Sequence, residues 1–302
     1  MAAMNKQNLI VPPFVQPGDQ IGVMTPASPY PDQALRKGIE LLRDWGFRVV
    51  LGRKRISRKG YLAGTDQERA DELHALLTDP DIKALMCSRG GYGAMRILDL
   101  LDYQEIKRNP KLVMGFSDIT ALLLALWKKI GLMTFHGPMV TTLPRSNLFT
   151  KSSVQAVLKG HYQIELPLDK RKAVIARSTE GVLIGGNLTL ITHLIGTPYE
   201  PVWDRAILFL EDCGEEPYRL DRMFQHLRLR GCFSEIAAII LGRFSRSDGK
   251  EIPLKKIIPL LEDLQIPIWT SLPVGHGASN VPLPIGAPAF LDSRKGRLSV
   301  TI

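Results

Sequence analysis

Cysteine is scarce in this chain: Cys87, Cys213 and Cys232 are three thiols in 302 residues, widely spaced, odd in number and outside any C-x-x-C pairing. That excludes a disulfide framework and gives no zinc-site spacing, so reduced, mostly buried thiols and no metal are expected. Long apolar runs are missing too. The longest, such as residues 121–127, are far too short to cross a bilayer, and no membrane partner is expected. The opening MAAMNKQNLIVPPFVQPGDQ has one lysine and an apolar stretch broken by Pro12 and Pro13. It lacks the successive charged, apolar and small-residue regions of a secretory signal, so a cytoplasmic location is expected. No internal repeat and no low-complexity tract occurs, which excludes a solenoid.

Hydrophobic residues at 45% and charged residues at 23% match ordinary globular usage. At 302 residues the chain exceeds the usual size of one core, and two domains are expected. Its formal charge of +9 is dispersed along the chain. The densest basic run, residues 53–59, has no interleaved aromatics and no nucleic-acid motif. It reads as a solvated loop, so an acidic small substrate is a better partner for this charge than nucleic acid.

In the first half, short apolar runs at 21–25, 48–51, 82–87, 112–116 and 132–135 alternate with helical patterns at 32–45, 66–77, 94–101 and 118–129. This is the pattern of a parallel sheet covered by helices. Thr65-Asp66-Gln67-Glu68 fits a capping box opening the second helix. Residues 151–180 are charged and less periodic and read as a connector with one short helix. Beyond them, strands at 181–184, 206–210, 237–241 and the chain end alternate with helices at 187–195, 218–229 and 254–264. The expected fold is therefore α/β with two domains: a mostly parallel sheet flanked by helices in residues 1–150, and a smaller α/β domain in residues 181–302.

Functional loops of such sheets gather beyond the carboxyl ends of the strands, and three candidate residues stand there. Ser117, between the run Leu112-Val113-Met114 and a helix, is either an N-cap or a nucleophile on a strand-to-helix elbow. Glu211 follows Ile207-Leu208-Phe209-Leu210 and is either a solvated strand end or the carboxylate that orients a base. His276, in Pro273-Val274-Gly275-His276-Gly277, lies on a small-residue loop able to present an imidazole; the other five histidines read as structural. A serine attacks only when a base takes its proton, and an acyl intermediate needs N–H donors for its oxyanion. Asp118 could supply one N–H and Gly90-Gly91 another, unless the latter form a plain or phosphate-cradling turn. Arg89 could grip a carboxylate or pair with a neighbouring acid. Asn187, after Gly185-Gly186, reads as a helix cap.

Taken together, PGDQIGVMTPASP, SRGGYGAMRIL, GFSDITALL, TFHGPM, GGNLTLITHLIGTP, FLEDCGEEPYRLDRM and PVGHG resemble the LD-carboxypeptidases, in that family's order and across almost the whole chain. These serine peptidases include muramoyltetrapeptide carboxypeptidase and the microcin C self-immunity peptidases. The resemblance implies Ser117 as nucleophile, Glu211 as orienting acid and His276 as base. It also implies a two-domain architecture with the site at the interface, no cofactor, commonly a homodimer, and release of a terminal D-alanine from cytoplasmic murein tetrapeptides. One feature departs from the hydrolase elbow G-x-S-x-G: Ile119 replaces the second glycine. The competing expectations are an immunity peptidase cleaving aminoacyl-nucleotide conjugates and a non-catalytic small-ligand binding protein.

Overall fold

The computed structural model describes residues 9–52 and 58–302, so residues 53–57 of the basic run lie outside the described residues. Short aliphatic runs covered on both faces favour parallel pairing, and the first half forms β1 (Gln20–Met24), β2 (Arg48–Leu51), β3 (Ile82–Cys87), β4 (Leu112–Gly115) and β5 (Thr134–His136). All of these pair in parallel, in the order β5-β4-β3-β1-β2. They are linked by α1 (Asp32–Asp44), α2 (Asp66–Thr78), α3 (Tyr103–Arg108) and α4 (Thr120–Ile130). The capping box forms: Thr65 Oγ1 accepts the Glu68 N–H at 3.1 Å, and the Thr65 N–H donates to Glu68 Oε2 at 2.7 Å. The expected helix at 94–101 is a tight 3₁₀ segment, Ala94–Leu100, and α3 was not anticipated.

After α5 (Leu148–Leu158) comes a second, mixed sheet. The stretch read as a connector supplies two of its strands, β6 (Ile164–Pro167) and β7 (Ala173–Ile175). Then follow β8 (Thr179–Asn187), α6 (Leu188–Leu194), β9 (Ala206–Cys213), α7 (Pro217–Arg230), β10 (Ala238–Ser245) and β11 (Ile268–Thr270). The chain next returns to the first sheet as β12 (Leu283–Ile285), antiparallel to β5, and ends in the second sheet as β13 (Pro288–Asp292) and β14 (Arg297–Val300). Strands β8 to β11 are parallel, and the antiparallel strands flank them in the order β6-β14-β13-β8-β9-β10-β11-β7. The protein is thus α/β, with a mostly parallel N-terminal sheet and a mixed C-terminal one. The helix expected at 254–264 is only two 3₁₀ turns, Leu254–Lys256 and Ile258–Leu260. Pro259 explains this, because it lacks the N–H that an α-helix would need there and its ring clashes with the preceding turn.

Helix α4 is buried nearly all round, as its sequence TALLLALWKKI requires, and it packs between the first sheet and α6. At its start the Asn187 N–H, from the end of β8, donates to Thr120 Oγ1 at 3.1 Å with both residues buried. Thr120→Val keeps the shape but orphans this buried donor, so it should destabilise the protein by about 1–3 kcal/mol in urea denaturation. An unchanged midpoint would mean that the two sheets are not joined through this bond.

Candidate active site

Ser117 leaves β4 in a left-handed backbone conformation, φ +63°. For a residue with a side chain this costs on the order of 1 kcal/mol, and it persists only where the surroundings impose it. The local sequence imposes it. A Cβ on Gly115 would lie 2.7 Å from Ile119 Cγ2, so the missing side chain lets Ile119 fold back, and the Ile119 N–H closes the turn on Phe116 O at 3.2 Å. Close approach at this elbow therefore uses the glycine before the serine, which accounts for the isoleucine after it. No side-chain oxygen caps this turn or α4, so the capping bond read for Ser117 is not formed.

The loop after β3 lies against the serine. A Cβ on Gly90 would stand 3.2 Å from Ser117 Cβ and 3.4 Å from Asp118 N, so glycine here lets the loop's main chain approach the serine without crowding it. Among the described residues, the N–H groups of Gly90, Gly91 and Asp118 have no acceptor. The Asp118 side chain turns inward, where its Oδ2 accepts the Ala94 N–H at 2.8 Å and burial pushes its carboxyl above the ordinary range. Arg69, wholly buried on α2, donates to the carbonyls of Gly93 at 2.8 Å and of Pro26, and so ties the glycine loop to the loop after β1.

From the second sheet, Glu211 ends the apolar part of β9 with no solvent exposure, and its Oε2 lies 2.8 Å from His276 Nδ1. Burial pushes the Glu211 carboxyl up, but His276, then His136 and Asn187, outweigh it and hold the group below its usual pKa, ionised. Burial likewise opposes a charge on His276, yet the charge of Glu211 and then hydrogen bonding with Cys213 and Glu211 prevail and raise the imidazole above its ordinary 6.5. The His276 ring lies against Phe116, centroids 4.7 Å apart. Asp212 points elsewhere: its Oδ2 accepts from the Thr189 N–H at 2.8 Å and Oγ1 at 2.9 Å, and burial followed by the charge of Glu211 pushes it up to about 7.

A cleft of about 540 Å³ between the sheets is lined by Ser117, His276, Gly90, Gly91 and Arg89. Ser117 and His276 share this cleft without a direct hydrogen bond, as is common before substrate binds. Arg89 is exposed and donates from Nη1 to Pro29 O at 2.9 Å; no acid pairs with it among the described residues. Asn187 caps α6 through the Leu190 N–H at 3.2 Å and stands beside Glu211 in the β8–β9 register. The fold therefore brings together every residue singled out in the sequence. It adds Arg145 and the half-buried Cys213 to the lining, along with Asn280 behind the His276 loop. Spacing carries no signal for these, since each is placed by contacts distant in the chain.

Comparison with known proteins finds matches along most of the chain. Residues 21–137 match the LD-carboxypeptidase N-terminal domain and residues 180–291 the LD-carboxypeptidase C-terminal domain. The murein tetrapeptide carboxypeptidase of Pseudomonas aeruginosa is 36% identical over 300 residues, covering 93% of this chain and 96% of that protein. The microcin C7 self-immunity protein of Escherichia coli is 30% identical over 321 residues, with 94% and 93% covered. The crystal structure of muramoyltetrapeptide carboxypeptidase from Oxalobacter formigenes superimposes with a TM-score of 0.82 at 32% identity, over 93% of this chain and 97% of that one. With both domain models matched in order and full-length relatives above 30% identity, the chain belongs to the LD-carboxypeptidase family of serine peptidases.

Proposed function

We propose that the protein is a serine LD-carboxypeptidase that releases the terminal D-alanine from murein tetrapeptides. The observation that carries this reading is the buried Glu211–His276 pair opening on the same cleft as a strained, uncapped Ser117 beside free N–H groups. In the reaction, Ser117 Oγ attacks the scissile carbonyl carbon while His276 Nε2 takes its proton. The N–H groups of Asp118 and of Gly90 or Gly91 hold the oxyanion. Collapse breaks the C–N bond, His276 returns the proton to the departing amine, and water then hydrolyses the acyl-enzyme by the reverse proton traffic. Glu211 keeps the imidazole oriented and stabilises its charge. Arg89 takes the terminal carboxylate. The names of the relatives support murein peptide as substrate, and a peptide rich in carboxylates suits a basic chain. Cleavage of aminoacyl-nucleotides is less favoured: Phe116 is the one phenyl, phenol or indole ring lining the cleft among the described residues, and it lies against His276 rather than free for a base.

Incubation with murein tetrapeptide should release D-alanine, and Ser117→Ala should abolish that release while leaving the fold intact. Ser117→Gly should be equally inactive but about 1 kcal/mol more stable, because glycine accepts positive φ without strain. Turnover by folded Ser117→Ala protein would end the proposal.

The base must be neutral to act, so kcat/KM should fall as pH drops through the raised pKa of His276. Glu211→Gln removes the charge that raises it, so the acid limb should move to lower pH while kcat drops on the order of 10⁴-fold through loss of the correct tautomer. An acid limb left in place would separate Glu211 from the base.

Arg89→Lys loses two-pronged recognition of a carboxylate. It should cut kcat/KM for the free tetrapeptide while scarcely changing the already poor use of a C-terminally amidated analogue. Equal proportional losses on both substrates would assign Arg89 to loop support.

A further inference from the structure

His136 and Asn280 have no role so far, yet they connect the strand pair that presents Ser117 to the loop that presents His276. His136 ends β5 wholly buried, with the rings of Phe116 and Phe209 at centroid distances of 5.9 and 5.2 Å. Its backbone is paired with Gly115 of β4, two residues before Ser117, and with Leu283 of β12. Its Nε2 lies 3.0 Å from Asn280 Oδ1. The same oxygen accepts the N–H of Gly275, the residue before His276, also at 3.0 Å. An amide oxygen only accepts, so the proton of His136 must reside on Nε2. The Asn280 N–H is itself held by Thr150 Oγ1 at 3.1 Å.

Asn280 is thus a clip with one side on β5 and the other on the 273–281 loop. The loop spans from β11 in the second sheet to β12 in the first, and it is held as well by Glu211 at His276 Nδ1, by Arg243, whose N–H donates to Val274 O at 3.0 Å and whose Nη1 donates to His276 O at 2.9 Å, and by Asn147 at Ala278 and Ser279. Burial pushes the basicity of His136 down to about 4, so it stays a neutral donor and places no second positive charge beside His276.

We propose that His136 is a positioning residue for the candidate base: its Nε2–H, through Asn280 Oδ1, sets the loop so that His276 Nε2 reaches Ser117 Oγ. This rests on the assignment of Ser117 and His276 above but not on the substrate, so the test includes a substrate-independent readout, the rate at which a small fluorophosphonate labels Ser117. His136→Phe fills the space without a donor, His136→Gln restores an N–H, and Asn280→Ala removes the clip; thermal melting verifies folding. Misplacing a reacting group by an ångström costs on the order of 100-fold, so His136→Phe and Asn280→Ala should each lose about 10–100-fold in kcat and labelling rate with KM little changed. His136→Gln should recover most of that loss. A purely structural role predicts lower melting temperatures with normal rates in the folded fraction. Normal labelling by folded His136→Phe, or equal impairment in the Gln and Phe variants, would overturn the proposal. If His136→Phe does not fold, normal labelling by Asn280→Ala overturns it and slowed labelling with recovery in His136→Gln supports it. Labelling that follows this pattern in a protein inactive on tetrapeptide would uphold the positioning role and reject the substrate.

Discussion

A carboxylate with no access to water, at the end of β9, is the constraint around which this molecule is arranged. Leaving such a charge unpaired in the interior would cost several kcal/mol, so Glu211 must have a partner, and His276 at 2.8 Å is that partner. The imidazole is therefore drawn to one place, with Nδ1 committed to Glu211 and the ring lining the cleft. Most of the surrounding architecture follows from bringing that loop to that carboxylate: β11 in the second sheet, β12 back in the first, and Asn280, Arg243 and Asn147 securing what lies between.

The serine side obeys a different constraint, of space rather than charge. A tight exit from β4 forces Ser117 to positive φ, and Gly115 and Gly90 remove the side chains that would otherwise occupy the turn and the loop facing it. Strain confined to one residue is held by a rigid frame: a fully buried α4, the Asp118 carboxyl on Ala94, and Arg69 joining two strand-end loops. Because α4 touches both sheets and the Thr120–Asn187 bond crosses between them, the serine's frame is tied to the second sheet near the cleft.

Legibility in the sequence varied with the range of the interaction that decided each feature. Strands β2 and β3 are bounded where the apolar runs 48–51 and 82–87 begin and end, and the Thr65–Glu68 box marks the start of α2, because such signals act within a few residues. The expectation of helix at 254–264 followed apolar spacing and gave too little weight to Pro259, whose missing N–H outranks periodicity. Strands β6 and β7, hidden in charged sequence, owe their pairing to β14 and β11, more than ninety residues away, and no local pattern announces it.

The candidate site divides the same way. Composition and local pattern place Ser117, Glu211 and His276 at strand ends, and strand-end geometry is local enough to be read from a run of residues and the turn that stops it. Whether the three meet is decided by the second sheet's register, which sets Asn187 beside Glu211, and by the return of the chain as β12, which carries the His276 loop across the interface. The sequence by itself determined an α/β chain with its chemistry at the carboxyl ends of strands. Only the tertiary structure decided that Arg89 donates to the Pro29 carbonyl and that His136 reaches Asn280, because these contacts link residues 60 and 144 positions apart and depend on how whole sheets pack.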